Sequence, residues 1–200
     1  EAATWYERAV AGGRPRAVMR LARLYERGAP GWPPDPAKAA RWLETAAQRG
    51  EPVATYDLAR KHLNGEGVPA DKARALALFE AAAAKGETRA FRYIGEIVED
   101  ETGPRHDPSA AIEWYRKAAD QGDGKAMFRL GEHHEKGRGG APDPVQALMW
   151  YTLAAEHGYE RGAERRKRLL DRLGLAQVEQ ATALIVAWRA EHGTRTAGLR

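Results

Sequence analysis

Two helical patterns of apolar and small residues alternate along the chain. One runs Ala17/Leu21/Ala22/Tyr25 and recurs as Ala54/Leu58/Ala59/His62, Ala90/Ile94/Gly95/Val98 and Ala126/Leu130/Gly131/His134. An i, i+4, i+5, i+8 spacing collects these positions on one face of a helix, with small residues where a second helix must approach closely. The other pattern runs Ala39/Trp42/Leu43/Ala46 and recurs around Leu78-Phe79, Trp114-Tyr115 and Trp150-Tyr151, with an earlier echo at Trp5-Tyr6. Polar, glycine-containing stretches such as Asn64-Gly65-Glu66-Gly67-Val68-Pro69 separate the two and predict turns.

The patterns hold a common register. Positions 42, 78, 114 and 150 are 36 residues apart, as are the glycines at 50, 86, 122 and 158 and the aspartates at 35, 71, 107 and 143. The aspartates stand where the second helix of each unit should begin, three of them followed by Pro at the first helical position. Each recurring glycine stands where that helix should end. The interval between the first two units is one residue longer, an insertion that falls in the loop Gly28–Asp35 around Trp32. A two-helix unit cannot bury its own apolar face, so the units must stack. The prediction is an all-α, right-handed α-α superhelix (solenoid) of helix-turn-helix repeats.

The unit A-x-x-x-L-[AG]-x-x-[YH]-x-x-G … D-P-x-x-A-x-x-W-Y-x-x-A-A-x-x-G resembles the Sel1-like repeat, a relative of the tetratricopeptide repeat. On that register, repeats span 14–50, 51–86, 87–122 and 123–158. Residues 1–13 form the second helix of an upstream repeat whose first helix would precede Glu1. Capping helices occupy 159–192: the basic stretch before Leu173, then a helix whose Val178, Ala181, Leu184, Ile185 and Trp188 share one face. Residues 193–200 are expected to be a flexible polar tail. The resemblance implies a non-enzymatic adaptor or scaffold for protein–protein interaction. It places such chains in bacterial envelope, secretion or signalling assemblies, and so favours periplasm or cell envelope over cytoplasm.

Composition narrows the chemistry. There is no Cys, which excludes a thiol nucleophile, a Cys-ligated metal site and a disulfide framework. A net charge of +4 from interleaved signs does not call for nucleic acid. No apolar run is long enough to span a membrane. The single serine, Ser109, sits just inside a helix start, with nothing in the sequence marking a base for it. His133 and His134 are adjacent on a helix and point about 100° apart, so they do not share one metal ion. No catalytic residue, metal site or cofactor is therefore expected, and a monomer is.

A binding reading rests on the first helices, which line the concave groove in tetratricopeptide-like arrays. Column by column they offer Met19, Tyr56, Arg92 and Phe128, then Arg23, Arg60, Glu96 and Glu132, then Leu63 and Glu99. Met19, Tyr56, Leu63 and Phe128 are the expected apolar anchors for a protein or peptide partner. Arg23 and Arg60 precede Glu96, Glu99 and Glu132, so a partner of opposite charge polarity is expected. The alternatives are a glycan or peptidoglycan bound by groove aromatics and carboxylates, and a polyanion bound by the basic 161–172 helix. Trp32 is a further candidate contact.

Overall fold

The computed structural model describes residues 15–30, 32–138 and 140–196. The helix expected over 1–13 lies outside the described residues. Ten α-helices occupy the described part: α1 Pro15–Arg27, α2 Pro36–Gln48, α3 Pro52–Asn64, α4 Lys72–Ala84, α5 Ala90–Glu99, α6 Pro108–Ala119, α7 Gly124–Lys136, α8 Pro144–Glu156, α9 Glu160–Leu170 and α10 Leu175–Thr196. The chain divides into two compact units, one ending at Ile97 and the other beginning at Val98. In the first, α1 packs on α2, α2 on α3 and α3 on α4. In the second, α7 packs on α6 and α8, while α9 and α10 both pack on α8.

The recurring polar residues build the helix junctions. Asp35, Asp71, Asp107 and Asp143 each accept, through Oδ1, the backbone N–H three residues on, at 2.9 Å in every case. Each also donates its own N–H to a carbonyl near the end of the preceding helix, at Tyr25, His62, Val98 and His134. One residue thus closes the first helix and opens the second. Gly50, Gly86, Gly122 and Gly158 end the second helices with φ between 80° and 89°, which glycine alone adopts without strain. The residue after each of them donates its N–H to the alanine carbonyl five back, closing the turn.

The aromatic pair at the centre of each second helix divides its work. Its second member (Leu43, Phe79, Tyr115, Tyr151) is buried in every unit, the last three completely. Its first member is only half-buried at Trp42, Leu78 and Trp114, and Lys117 lies over the Trp114 ring at 4.0 Å. Trp114 is therefore an edge residue rather than the core residue its column suggests, and the tyrosine beside it carries the packing. At the last repeat, Trp150 is buried because α10 covers it, with Trp188 edge-on at 6.4 Å. Ala181 and Ile185 of α10 are buried, whereas Val178 and Leu184 are half-buried. The helix runs through Thr196, past the expected end at 192: glycine at 193 lowers helix propensity without stopping a helix already formed.

Candidate functional site

The first helices supply the candidate residues, and the structure separates them into two groups. Tyr56 and Phe128 are not exposed anchors: only 5% and 1% of their surface is accessible. Tyr56 meets Phe79 and Tyr93 edge-on, each at 5.7 Å, and the Arg89 guanidinium lies 4.4 Å over its ring. Phe128 packs on Tyr151 at 5.3 Å and Tyr159 at 5.0 Å, with Arg161 over its face. The same two columns meet in both places, an aromatic from one first helix under an arginine that opens the next. Met19 is half-buried against the core of the first unit, and Leu63 is half-buried too. The groove-aromatic basis for a glycan site is therefore absent at Tyr56 and Phe128.

The carboxylates of the second unit are held internally. Tyr115 donates its hydroxyl to Glu99 Oε2 at 2.7 Å, and Arg138 donates to Glu99 Oε1 at 2.7 Å. The buried His133 ring places Nε2 3.2 Å from Glu99 Oε1, without hydrogen-bond alignment. Burial works against the charge of Glu99, but the His133 ring, the Tyr115 hydroxyl and the Arg129 charge outweigh it and hold the carboxyl down at about 2. One repeat later, Tyr151 donates to Glu135 Oε2 at 2.7 Å. Glu132 is buried, accepts from Arg129 at 2.9 Å, and lies 3.9 Å from Arg165. Glu99 and Glu132, both expected to face a partner, are structural.

Lys61 was not singled out by its sequence position. Its ammonium is buried and donates to Glu26 at 2.6 Å and Glu66 at 3.0 Å, joining α1, α3 and the loop after α3. Burial disfavours its charge, and the two carboxylates more than compensate, so its pKa rises. The available signal was a column substitution: Lys61 and His133 share one register position, and each reaches back to an acid, Glu26 or Glu99, of the preceding repeat.

Arginines remain. Arg20, Arg23, Arg27 and Arg60 are exposed, and none has an ion-pair or hydrogen-bond partner among the described residues. Arg20, Arg23 and Arg27 lie on one face of α1 by their spacing of three and four. Arg23 and Arg60 both act on the half-buried Asp57 carboxyl of α3. Burial raises the pKa of Asp57, against the pull of Arg89, Arg60 and Arg23. Arg92 and Glu96 instead pair with each other at 3.0 Å.

The remaining features carry less. Trp32 folds back edge-on against Tyr25 at 5.6 Å, beside a hollow of about 520 Å³ lined also by Pro33, Pro34, Pro36 and Lys38. On α9, Arg161 and Arg165 serve the Phe128 and Glu135 contacts, while Lys167, Arg168 and Arg172 at its end are exposed. Among the described residues, no group of three or more His, Cys, Asp or Glu could hold a metal ion, and no helix is long and apolar enough to cross a membrane.

The Sel1 repeat family model matches residues 15–51, 52–87, 92–123 and 124–159. No curated protein matches the chain. Among solved structures, c5321, a protective antigen of uropathogenic Escherichia coli displaying an SLR fold, is 28% identical with a TM-score of 0.83. That match covers 99% of this chain but only 43% of the antigen, so the chain spans less than half the length of that relative. A Sel1 repeat protein from Oxalobacter formigenes is 27% identical with a TM-score of 0.75, over 90% of this chain and 75% of that one. The immunity protein PA5088 of Pseudomonas aeruginosa, at 20% identity and a TM-score of 0.53, covers 94% of this chain and 73% of its own, and shares the fold alone. The fold is an all-α helical-repeat solenoid, of a kind that generally mediates protein–protein interaction, and the chain belongs to the Sel1 repeat family.

Proposed function

We propose that this chain is a non-enzymatic adaptor that holds a protein or peptide partner against the first-helix face of its N-terminal unit, within a bacterial envelope, secretion or signalling assembly. The observation that carries the reading is the pair Arg23 and Arg60. They occupy one register position on successive first helices, stand in solvent, and have no partner among the described residues. The planar fork of donors that each presents to solvent suits an incoming carboxylate. The aromatics that would favour a glycan are committed to packing, which leaves the polar surface to make the contact.

Site-specific photo-crosslinking in native extract tests this. A crosslinking side chain at position 60 should trap a discrete protein adduct, and one at position 81, on the exposed face of a second helix, should not. Equal yields at both positions, or none at 60, would remove the first-helix reading.

A further inference from the structure

Given the first-helix reading just stated, we infer that the arginine face formed by Arg20, Arg23, Arg27 and Arg60 is built for an acidic segment of a protein, not for a partner of mixed polarity. The sequence offers arginines followed by glutamates, which suggests a dipolar ligand. The structure removes half of that dipole. Glu99 is claimed by Tyr115, His133 and Arg138, Glu132 by Arg129 and Arg165, and Glu96 by Arg92. Those carboxylates have no charge to offer a basic ligand. The four arginines do, because none of them is ion-paired or hydrogen-bonded to a described residue; Asp57 interacts with Arg60 and Arg23, and Glu66 with Arg60, through the field alone.

The layout favours a peptide over other polyanions. Arg20, Arg23 and Arg27 follow one face of α1, about 5–6 Å from one to the next. Arg60 stands on α3, and Lys61 beside it ties that helix to α1 through Glu26. Each guanidinium can take a carboxylate through two parallel N–H···O bonds. Asp57 on α3 is half-buried, its carboxyl within the field of Arg89, Arg60 and Arg23, with Glu26 acting in the opposite sense. A nucleic-acid backbone or an anionic bilayer presents continuous negative charge and would have to cover that carboxylate. An acidic peptide carries its charges on flexible side chains and can turn one away from it. Asp57 therefore sets where an acidic side chain must turn aside.

Fluorescence anisotropy with the full chain tests this, using labelled decaglutamate, decaglutamine, a short DNA duplex and phosphatidylserine vesicles as probes. Decaglutamate should bind and decaglutamine should not, and the affinity should fall as salt is raised. Arg23→Gln with Arg60→Gln should weaken decaglutamate binding about tenfold, equivalent to about 1.4 kcal/mol. Arg168→Gln with Arg172→Gln, at the end of α9, should leave it unchanged. Asp57→Asn should tighten it several-fold. The inference is overturned if decaglutamate and decaglutamine bind alike, or if the α9 pair matters as much as the α1/α3 pair. It is equally overturned if the DNA or the vesicles bind more tightly than decaglutamate with the same dependence on Arg23 and Arg60. A position-60 crosslink that survives alongside any of these results would retain the first-helix adaptor and discard only its acidic partner.

Discussion

The second and fourth repeats use the same backbone and fill its centre differently. In the second, Phe79 is completely buried, and Leu63 stands sixteen residues before it in the column that carries an acid elsewhere. In the fourth, Tyr151 is equally buried, and the residue sixteen before it is Glu135, which accepts the tyrosine hydroxyl at 2.7 Å. The third repeat repeats the arrangement of the fourth with Tyr115 and Glu99. One extra oxygen at the core position thus comes with a change of a second residue from leucine to glutamate. A third column follows suit: Ala59 accompanies Phe79, while Gly131 accompanies Tyr151, whose ring lies 2.6 Å from where a Cβ at 131 would be. The repeat motif specifies a buried ring, and the chemistry around that ring is decided repeat by repeat. The consequence reaches the surface. Where tyrosines occupy the centre, neighbouring acids are drawn inward and paired, whereas the first unit keeps its arginines in solvent.

The largest effect should come from removing the ring itself. Phe79→Ala deletes buried apolar volume and should cost about 3–5 kcal/mol. Tyr115→Ala deletes similar volume and also strips a donor from the part-buried Glu99, adding about 1–3 kcal/mol. Trp114→Ala, one residue away, should cost less than either, because the indole is half-exposed under Lys117. Denaturant melts of the three variants give the order. If Trp114→Ala proves the costliest, the division between an edge tryptophan and a core tyrosine is wrong.

Most of the architecture is legible in the sequence itself. The aspartate and glycine columns marked helix junctions because capping is a local event, completed within a few residues. The groove was less legible, for a geometric reason. Tyr56 and Phe128 stand two residues, about 200° of helical rotation, beyond the alanines that face their own partner helix, which suggests solvent. That position is covered by the opening of the following helix, through Arg89 and Tyr93 in one unit and through Tyr159 and Arg161 in the other. Helical periodicity reports packing within a repeat and is silent about packing between repeats. Arg23 and Arg60 stand in solvent at the register positions that the pattern offers to a partner. Glu99 and Glu132 are offered in the same way but are claimed internally, since their partners lie elsewhere in the sequence, at Tyr115, His133 and Arg165, and only the folded chain brings them near.

An intermediate effect should appear in acid. Glu99 is held at about 2 against its ordinary 4.5, so its contacts stabilise the native state fully above pH 4.5. That contribution, about 3 kcal/mol from the size of the shift, is lost as pH falls from about 4.5 to about 2, where the native carboxylate must accept a proton. Asp57 works in the opposite sense. Its pKa is raised in the folded chain, so the penalty for keeping it charged is relieved as pH falls. Hydrogen exchange measured segment by segment between pH 5 and pH 2.5 should therefore show α6 and α7 losing protection before α3 and α4. Glu99→Gln should remove much of that acid sensitivity. Equal loss in both units, or a Glu99→Gln variant with an unchanged profile, would count against the network.

The smallest effect is the most pointed, because it asks whether the two solutions can be exchanged. Phe79→Tyr alone would put a hydroxyl beside Leu63, where that side chain offers no acceptor, and should destabilise the second repeat. Leu63→Glu alone gives up apolar packing at a half-buried position and leaves a carboxylate facing the Phe79 ring, which should also destabilise it. Together the two changes recreate the pair that Tyr115 and Tyr151 form with Glu99 and Glu135, at the same sixteen-residue separation. A hydrogen bond to a charged acceptor contributes about 1.5–3 kcal/mol, and part of that is offset by desolvating the new carboxylate. The double variant should therefore be more stable than the sum of the single losses by about 1 kcal/mol, the coupling that a double-mutant cycle reads directly. Lys61, which pairs with Glu26 and Glu66, is the cation that would draw the new glutamate away from the tyrosine; Lys61→Met in the same cycle would then restore the coupling. A coupling near zero with and without Lys61 would mean that the backbone, not the side-chain pairing, determines which repeats can hold a tyrosine.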